Sequence, residues 1–292
     1  MPWQSLLETR DRLPAGPLDD WYAALLGRAG DSSPFALAVL GGCLAATPGL
    51  AFLAGYQGAL RALWPAAPRS LGALCVTENR SSRPADLHTR LDGLHLSGRK
   101  DFVTAAEAAD WLLVAARSEE QGAPRLAVGV VRSGAPGARI EPLPALALMP
   151  DIGHARLHLD NVLCELLPGD GWDSYVKPFR SIEDLHVLAA ITAWLYGIGR
   201  DGGWPAALRL RLLALIGGCA EVARHSASEP VTHLLLAGLF AQFEALRPEV
   251  DAAIGAGAES WAALWTRDCN LLAVARSARD KRLEKAAAAL GF

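Results

Sequence analysis

The spacing of apolar residues changes twice along the chain, and each change marks a predicted boundary between segments. In residues 1–69 apolar positions recur at helical intervals, most clearly over residues 18–26. Two further helices are predicted over residues 34–46 and 50–64, separated by a Thr-Pro-Gly sequence that breaks the run. The first segment is therefore predicted to be a helical domain.

Residues 70–170 have the pattern of short strands. The apolar runs are brief, and the last one alternates apolar with polar residues as a half-buried strand does. The predicted strands cover residues 71–77, 94–96, 111–116, 125–131, 139–143 and 155–160. Asp92-Gly93 and Ser97-Gly98 are dipeptides typical of tight hairpins, because glycine tolerates positive φ. Short strands with frequent turns favour a small antiparallel barrel or sandwich.

Helical spacing returns after Trp172. Ser181 is placed to cap a helix that closes near residues 197–199. The remaining predicted helices cover residues 206–224, a segment from Pro230 that ends before Pro248, and residues 259–290. Four helices of this length are typical of an antiparallel bundle.

These patterns together predict an α+β, mainly α fold. We expect an N-terminal helical domain over residues 1–69, a central antiparallel β-barrel over residues 70–170, and a C-terminal four-helix bundle over residues 171–292. A chain of 292 residues is long enough to bury a large core.

Composition and charge narrow the classes of partner. The net charge is −3 and no basic run occurs, which argues against nucleic acid or an anionic membrane as the main partner. The N-terminal residues lack the basic flank and long apolar core of a signal peptide. The apolar run over residues 35–53 is interrupted by glycine and proline, so it predicts two buried helices rather than a membrane span. We therefore expect a cytoplasmic protein.

No metal site is predicted. The five cysteines are widely scattered without a CxxC pair, as expected for reduced, buried thiols. His154 and His158 are close enough to share one face of a strand, but the neighbouring sequence offers no third ligand for zinc.

The central segment carries a series of short motifs in a fixed order. Cys-Val-Thr-Glu over residues 75–78 is followed by Asp92-Gly93, then by Leu-Ser-Gly-Arg-Lys over residues 96–100 and Phe-Val-Thr over residues 102–104. A later segment over residues 146–172 ends in Gly-Asp-Gly-Trp. In this order and spacing the sequence resembles the acyl-CoA dehydrogenases, as a short and divergent member of that family.

The resemblance implies FAD as the cofactor and names the residues that would contact it. Leu74, Val76 and Thr77 would lie along the flavin, Phe102 would replace a stacking tryptophan, and Thr104 would address the flavin N5. The chemistry is reasonable, because a flat ring system needs an aromatic or apolar wall and its polar edge needs hydrogen-bond partners. Taken singly, Thr77 and Phe102 are better explained as a strand-end residue and a core residue, and only their paired placement favours flavin contacts.

Two departures from the family pattern concern phosphate contacts. The family has a glycine-rich turn after V-T-E, whereas residues 79–84 here read Asn-Arg-Ser-Ser-Arg-Pro. Arg80 and Arg83 could bind phosphate instead, or could simply be solvated. The family's R-x-x-F-G motif, whose arginine reaches the flavin pyrophosphate of a neighbouring subunit, is also missing after Arg200.

The catalytic base is the third departure. Removing an α-proton while hydride leaves requires a carboxylate, but an ungapped alignment to the family's last motif puts Arg276 at that position. Arginine stays protonated near neutral pH and cannot act as a base. Some family members carry the glutamate on the first bundle helix, where Glu183 lies in this chain. Glu183 and Asp184 could also be first-turn acids that the helix dipole favours.

Two functions follow from these residues. The first is an FAD-binding oxidoreductase acting on the CH–CH group of an acyl thioester, with Glu183 or an unidentified group as the base and with an electron-transfer partner. The second is a non-catalytic subunit or acyl-CoA-binding protein that pairs with a complete homologue. Either would be consistent with a homo-oligomer or with pairing to a homologous subunit, because the bundle helices are strongly apolar.

Overall fold

The computed structural model describes residues 3–118 and 125–292, and it begins with helices as predicted. The N-terminal helices are α1 (Trp3–Leu6), α2 (Leu18–Ala29), α3 (Pro34–Leu44) and α4 (Pro48–Leu63). The hydroxyls of Ser33 and Thr47 cap α3 and α4 by accepting from the backbone N–H groups of Ala36 and Leu50. Proline follows each capping residue at the first helical position, where its missing N–H costs nothing.

The middle of the chain forms one curled sheet that makes half a barrel. Its strands are β1 (Gly72–Cys75), β2 (Arg90–Asp92), β3 (His95–Thr104), β4 (Trp111–Ser118), β5 (Arg125–Arg132), β6 (Ala138–Pro142), β7 (His154–Leu163) and β8 (Glu165–Leu166). The order is β6-β7-β3-β2-β4-β5-β8, with β1 also paired to β4. Most pairings are antiparallel, but β1 and β2 each run parallel to β4.

The two predicted hairpin dipeptides behave differently. Asp92-Gly93 is in a tight turn, since Asp92 pairs with His95 across β2 and β3 and Gly93 has φ +55°. Ser97-Gly98 is not a turn, and that prediction is wrong. Gly98 lies inside β3 at a bulge opposite β7, with φ +141°, and a Cβ there would come within 2.7 Å of the Thr89 Cα.

The C-terminal segment is helical. A π-helical turn at Trp172–Val176 leads into α5 (Lys177–Asp201), followed by α6 (Ala206–Val222), α7 (Pro230–Gly255), α8 (Glu259–Asp268), a 3₁₀ turn at Leu271–Ala273 and α9 (Arg276–Leu290). The fold class is therefore confirmed as α+β and mainly α. Within the described residues no helix is long and apolar enough to cross a membrane.

Two predicted helix limits are wrong. Ser181 does not cap a helix, because α5 begins at Lys177 and continues directly from the π-helical turn. Its hydroxyl lies 3.4 Å from Nδ1 of His233 on α7 instead. Pro248 does not end α7, since the helix continues to Gly255 and buries Val250 and Ile254 against the core.

The predicted continuous helix over residues 259–290 is broken between α8 and α9. The break leaves backbone carbonyls without helical partners, and arginine side chains from packed helices satisfy two of them. Arg247 donates to the Cys269 carbonyl at 2.7 Å, and Arg279 donates to the Leu272 carbonyl at 2.5 Å. Leu271 and Leu272 are buried at the break, so it is fixed by packing as well.

Helix α5 is the central element of the core. It packs against α3 and α4 on one side and α6 and α7 on the other. Glycines permit this close approach: a Cβ at Gly42 would come within 2.2 Å of the Ala190 carbonyl oxygen, and one at Gly55 within 2.7 Å of the Val187 Cα. The N-terminal helices and the bundle therefore share one hydrophobic core, while the sheet has its own.

Candidate active site

A cavity of about 350 Å³ lies where α4, α5 and the α8–α9 break face the ends of β1, β3 and β7. A volume of this order is at the lower end of the range for small-molecule sites. Its lining residues are Phe52, Tyr56, Leu74, Val76, Thr77, Ser82, Phe102, Thr104, Leu146, Leu148, Met149, His154, Val176, Phe179, Arg180, Glu183, Asp184, Val187, Leu271, Leu272, Val274, Ala275 and Arg279.

The cavity brings together all six residues for which the sequence predicted a cofactor or catalytic role. Leu74, Val76 and Thr77 line it from β1 and the segment that follows, and Phe102 and Thr104 line it from β3. Glu183 faces the same space from α5. These residues come from three segments that are distant in sequence, so their convergence is a property of the tertiary structure.

A buried ion pair holds the end of β1 against β3. Nζ of Lys100 lies 2.5 Å from Oε1 of Glu78, and both side chains are buried. Glu78 also accepts from the Thr89 hydroxyl at 2.7 Å. The backbone N–H of Asp101 donates to the Thr77 carbonyl at 2.8 Å, so Thr77 is fixed beside the strand that carries Phe102.

The turn after Glu78 forms without glycine. Glu78 and Ser81 exchange two backbone hydrogen bonds of 2.8 and 2.7 Å around Asn79 and Arg80. Both central residues have positive φ, 48° and 62°, a conformation in which asparagine is more readily accommodated than most side chains. The Asn79 N–H donates to Oδ2 of Asp101 at 2.6 Å, which helps to hold this conformation.

Phe102 and His154 form one aromatic surface of the cavity. Their rings stack with centroids 4.4 Å apart and an interplanar angle of 25°. They come from β3 and β7, where His154 pairs with Thr104. Burial lowers the pKa of His154 despite a hydrogen bond to the Ile152 backbone that opposes the shift, and Nδ1 has no partner among the described residues.

A second part of the cavity wall, from α4 and α5, is aromatic as well. Phe52 and Tyr56 stack with centroids 6.0 Å apart, and Phe179 meets Tyr56 edge to face at 5.7 Å. The Tyr56 hydroxyl accepts from the Leu74 N–H at 2.8 Å, which ties α4 to β1. Two groups of aromatic side chains thus line the cavity together with its polar residues.

Glu183 is a carboxyl group in an environment that favours its neutral form. Burial raises the pKa of Glu183 to about 8, with a further contribution from the charge of Asp184, while Arg282 and Arg180 oppose the rise. Glu183 lies in the second turn of α5, so the alternative that it is a first-turn acid favoured by the helix dipole is wrong.

Arg276, which the ungapped alignment placed at the position of the base, lies outside the cavity. Its guanidinium makes an ion pair with Glu244 at 3.1 Å, and 57% of its side chain is exposed. The break between α8 and α9 instead presents Val274 and Ala275 to the cavity. Position 276 does not face the cavity. Having an arginine rather than a carboxylate there therefore does not change which carboxylates the cavity contains.

Asp184 is neutralised by two arginines of α9. Arg279 approaches Oδ1 at 3.0 Å, and Arg282 is paired with Oδ2. Arg279 also lies over the Phe240 ring at 3.9 Å. This arrangement ties α9 to α5 next to Glu183, and it leaves the Asp184 charge compensated within the protein.

The connection between β6 and β7 covers one side of the cavity with Leu146, Leu148 and Met149. The Met149 N–H donates to Oδ1 of the buried Asp268 at 2.9 Å. Asp151 accepts from the Thr47 hydroxyl and lies 3.6 Å from Arg267. These contacts anchor the connection to both α4 and α8.

Sequence reasoning missed several residues of the cavity. His154 was considered only as a zinc ligand, yet it faces the cavity while His158 binds Glu141 at 2.7 Å. Arg180 and Arg279 gave no sequence signal, because an arginine on a helix is usually solvated.

The described residues contain no cluster of three or more side chains suitable for a metal ion.

Comparison with known proteins agrees with this architecture. Residues 73–162 match the family model "acyl-CoA dehydrogenase, middle domain". A search of curated proteins gave no significant match.

Three solved structures are similar over nearly the whole chain. The first is FkbI, for biosynthesis of the methoxymalonyl extender unit of a polyketide immunosuppressant, with 23% identity, a TM-score of 0.61, and coverage of 99% of this chain and 93% of that one. The second is an FAD-dependent dehydrogenase, with 15% identity, a TM-score of 0.69, and coverage of 99% and 96%. The third is butyryl-CoA dehydrogenase from Megasphaera elsdenii, with 14% identity, a TM-score of 0.65, and coverage of 94% and 90%.

These matches agree with the motifs of residues 75–104. The resemblance is confirmed: the chain has the acyl-CoA dehydrogenase fold with an acyl-CoA dehydrogenase middle domain at residues 73–162, consistent with a short, divergent member of the family.

Proposed function

We propose that the protein is an FAD-binding oxidoreductase that oxidises the CH–CH group of an acyl thioester, with Glu183 as the base. One observation carries the proposal: Thr77, Phe102 and Glu183, from three separate segments, line the same cavity. This oxidation needs a surface that holds the flavin ring and a base for the α-proton, and the aromatic side chains and the Glu183 carboxyl of this cavity are groups of those two kinds.

The cavity fits a flavin ring system in shape and polarity. The stacked rings of Phe102 and His154 and the apolar side chains of Leu74 and Val76 offer a wall for a planar aromatic group. Within the described residues the hydroxyls of Thr77 and Thr104 make no hydrogen bond, so both are free for a ligand. A bound flavin would supply the electron acceptor, which no side chain provides.

The residues of the chain would bind and orient the reactants and move one proton. Thr77 and Thr104 would hold the polar edge of the ring, and Phe102 would fix its plane. The Glu183 carboxylate would take the α-proton of the thioester onto a carboxylate oxygen. The aromatic walls and the anchored connection with Met149 would keep water away from the reacting carbon atoms.

The similar structures support the finer parts of this proposal by analogy. One is described as an FAD-dependent dehydrogenase and another as a butyryl-CoA dehydrogenase, so we infer FAD as cofactor and an acyl thioester as substrate. We also infer an electron-transfer partner and a homo-oligomer or a pairing with a homologous subunit, because such redox enzymes pass their electrons on and the bundle exposes apolar residues such as Leu210 and Leu235.

The test is the spectrum of the purified protein. We expect a yellow preparation that releases FAD on denaturation and bleaches when an acyl-CoA is added without oxygen. Glu183→Gln should keep the flavin but lose the bleaching, since the amide cannot take a proton.

Arg276→Met is the control. It removes a charge on α9 outside the cavity, so the flavin of this variant should bleach normally. A colourless protein that fails to take up added FAD would refute the cofactor assignment. Bound FAD without bleaching by any acyl-CoA, together with copurification of a complete homologue, would favour the non-catalytic subunit instead.

A further inference from the structure

Arg180 is a cation of the cavity wall that makes no ion pair with a carboxylate among the described residues. It lies in the first turn of α5 and donates a hydrogen bond to the Ser82 hydroxyl, in the loop after β1. Its guanidinium carbon lies 5.2 Å above the Trp172 ring. Within the described residues no carboxylate oxygen comes within ion-pair distance of it, in contrast to Arg279 and Arg282.

The surrounding charges leave an excess of positive charge at this end of the cavity. Asp184 is already paired with Arg279 and Arg282. Burial raises the pKa of Glu183 to about 8, so near neutral pH most of its population carries no charge. Burial also lowers the pKa of Arg180, and the nearby Arg282 charge lowers it further, while Glu183 opposes the shift. A partly buried guanidinium that lies near a second cation and has no carboxylate within ion-pair distance among the described residues is a site that gains from a bound anion.

The hydrogen-bond directions fit such an anion. The Ser82 oxygen accepts from Arg180, so its own proton remains available as a donor. The guanidinium has further N–H groups in a planar fork that matches two oxygens of a carboxylate or phosphate. Both residues line the cavity, so their free donors can meet on one ligand group.

We propose that Arg180 and Ser82 form an oxyanion-binding subsite, and that the ligand of this cavity places a phosphate or carboxylate group there. The proposal rests on the proposed function in taking the ligand to be a flavin or an acyl thioester. Three sources would supply the same chemistry: a phosphate of the cofactor, a phosphate of the carrier, or a carboxylate at the end of the acyl group.

The experiment compares pairs of ligands of which only one member carries the anionic group in question, and the Arg180 variant separates the effect of that group from the effect of the other atoms that differ. Dissociation constants are measured by calorimetry for riboflavin and FAD, for the butyryl and succinyl thioesters of N-acetylcysteamine, and for butyryl-CoA. FAD against riboflavin tests the cofactor phosphate, the succinyl against the butyryl thioester tests an acyl carboxylate, and butyryl-CoA against the butyryl thioester tests the carrier phosphate.

In at least one pair the wild-type protein should prefer the anionic ligand, and Arg180→Met should reduce that preference about tenfold to a hundredfold, as for loss of a charged hydrogen bond. Ser82→Ala should reduce it less, and Arg276→Met should leave it unchanged. If Arg180→Met fails to fold, Arg180→Lys and Ser82→Ala make the same comparison, because lysine keeps the charge without the fork.

The proposal is overturned if no pair shows a preference that depends on Arg180 and Ser82. This outcome is separate from the fate of the proposed function. Flavin uptake with no anion preference would refute the subsite alone. An Arg180-dependent preference among the thioesters in a protein that takes up no flavin would refute the cofactor assignment and keep the subsite.

Discussion

The Lys100 ammonium and the Glu78 carboxylate form an ion pair of 2.5 Å from which solvent is excluded. Burial opposes the charge of Glu78, but Lys100 and the hydrogen bonds from Thr89 and His88 outweigh it, so the pKa of Glu78 is lowered. Burial also lowers the pKa of Lys100, and Glu78 opposes that shift. The pair joins the loop after β1 to β3 and thereby positions Thr77.

Removing one partner of this pair should therefore be more harmful than removing both. We expect Lys100→Met to lower the free energy of unfolding by about 3–5 kcal/mol, because it leaves Glu78 as an uncompensated buried charge. The double variant Lys100→Met with Glu78→Gln should recover part of that loss. Urea unfolding followed by circular dichroism measures all variants. Equal losses in the single and double variants would show that the ion pair is not coupled.

The proton affinity of Glu183 predicts a pH dependence of the proposed reaction. The pKa of this carboxyl is raised to about 8, mainly by burial, so the basic form grows as pH rises toward that value. We expect the anaerobic rate of flavin reduction to increase with pH between about 6 and 8 and then to level off. A rate that is independent of pH in wild-type protein would argue against Glu183 as the base.

The same shift predicts that Glu183 weakens the fold at high pH. The folded state keeps a proton that the unfolded state releases, so the contribution of Glu183 to stability falls as pH rises from about 4.5 to about 8. Glu183→Gln removes this term, and we expect it to stabilise the protein by about 1–2 kcal/mol at pH 8.5 and to have little effect at pH 5. Asp173→Asn, at an exposed position of the same region, is the control for charge alone.

His186 should make the stability of the fold depend on pH in the opposite direction, and at lower pH. It is buried, and its Nδ1 lies 2.8 Å from the Ile182 carbonyl oxygen. Burial lowers the pKa of His186 to about 4, against the opposing effect of that hydrogen bond. The unfolded state takes up a proton first, so stability that is present above pH 6.5 is lost as pH falls toward 4.

This loss should disappear when His186 is replaced. We expect His186→Gln to cost about 1–3 kcal/mol at pH 7, and the cost should shrink as pH falls to 4.5. Chemical unfolding at the two pH values measures the difference. His225→Gln, at an exposed position in the loop after α6, should stay within about 0.5 kcal/mol of wild type at both. A constant cost for His186→Gln would show that its protonation does not contribute.

A substitution at Gly55 tests whether stability and flavin binding depend on the close spacing of α4 and α5. An added Cβ would come within 2.7 Å of the Val187 Cα and within 2.9 Å of the His186 carbonyl oxygen. We expect Gly55→Ala to destabilise the protein by about 1–3 kcal/mol and to weaken flavin binding, because Val187 and the neighbouring Tyr56 line the cavity. Gly217→Ala is the matched control: nothing lies within 4 Å of an added Cβ there, and the change should stabilise α6 by about 0.5–1 kcal/mol. Thermal unfolding and flavin titration check both variants.

The sequence by itself determined the elements and most of one wall of the site. Helical spacing identified the N-terminal helices and the bundle, and alternation identified most of the strands, because these patterns depend on neighbouring residues along the chain. The motifs around Thr77 and Phe102 identified the β1 and β3 residues that line the cavity. The sequence did not distinguish the Asp92-Gly93 turn from the Gly98 bulge, since both use glycine and only pairing with β7 separates them.

Only the tertiary structure decided which charged residues face the cavity. The ungapped alignment assumed a continuous helix, but Arg247 and Arg279 satisfy carbonyls at a break, and Arg276 consequently points to Glu244. Glu183 faces the cavity because α5 begins before Ser181 and packs against α4 through Gly55. His154 meets Phe102 through the register of β3 and β7. Each of these contacts joins residues that are far apart in the sequence, and no local pattern records which distant partner will compensate a charge or satisfy a carbonyl.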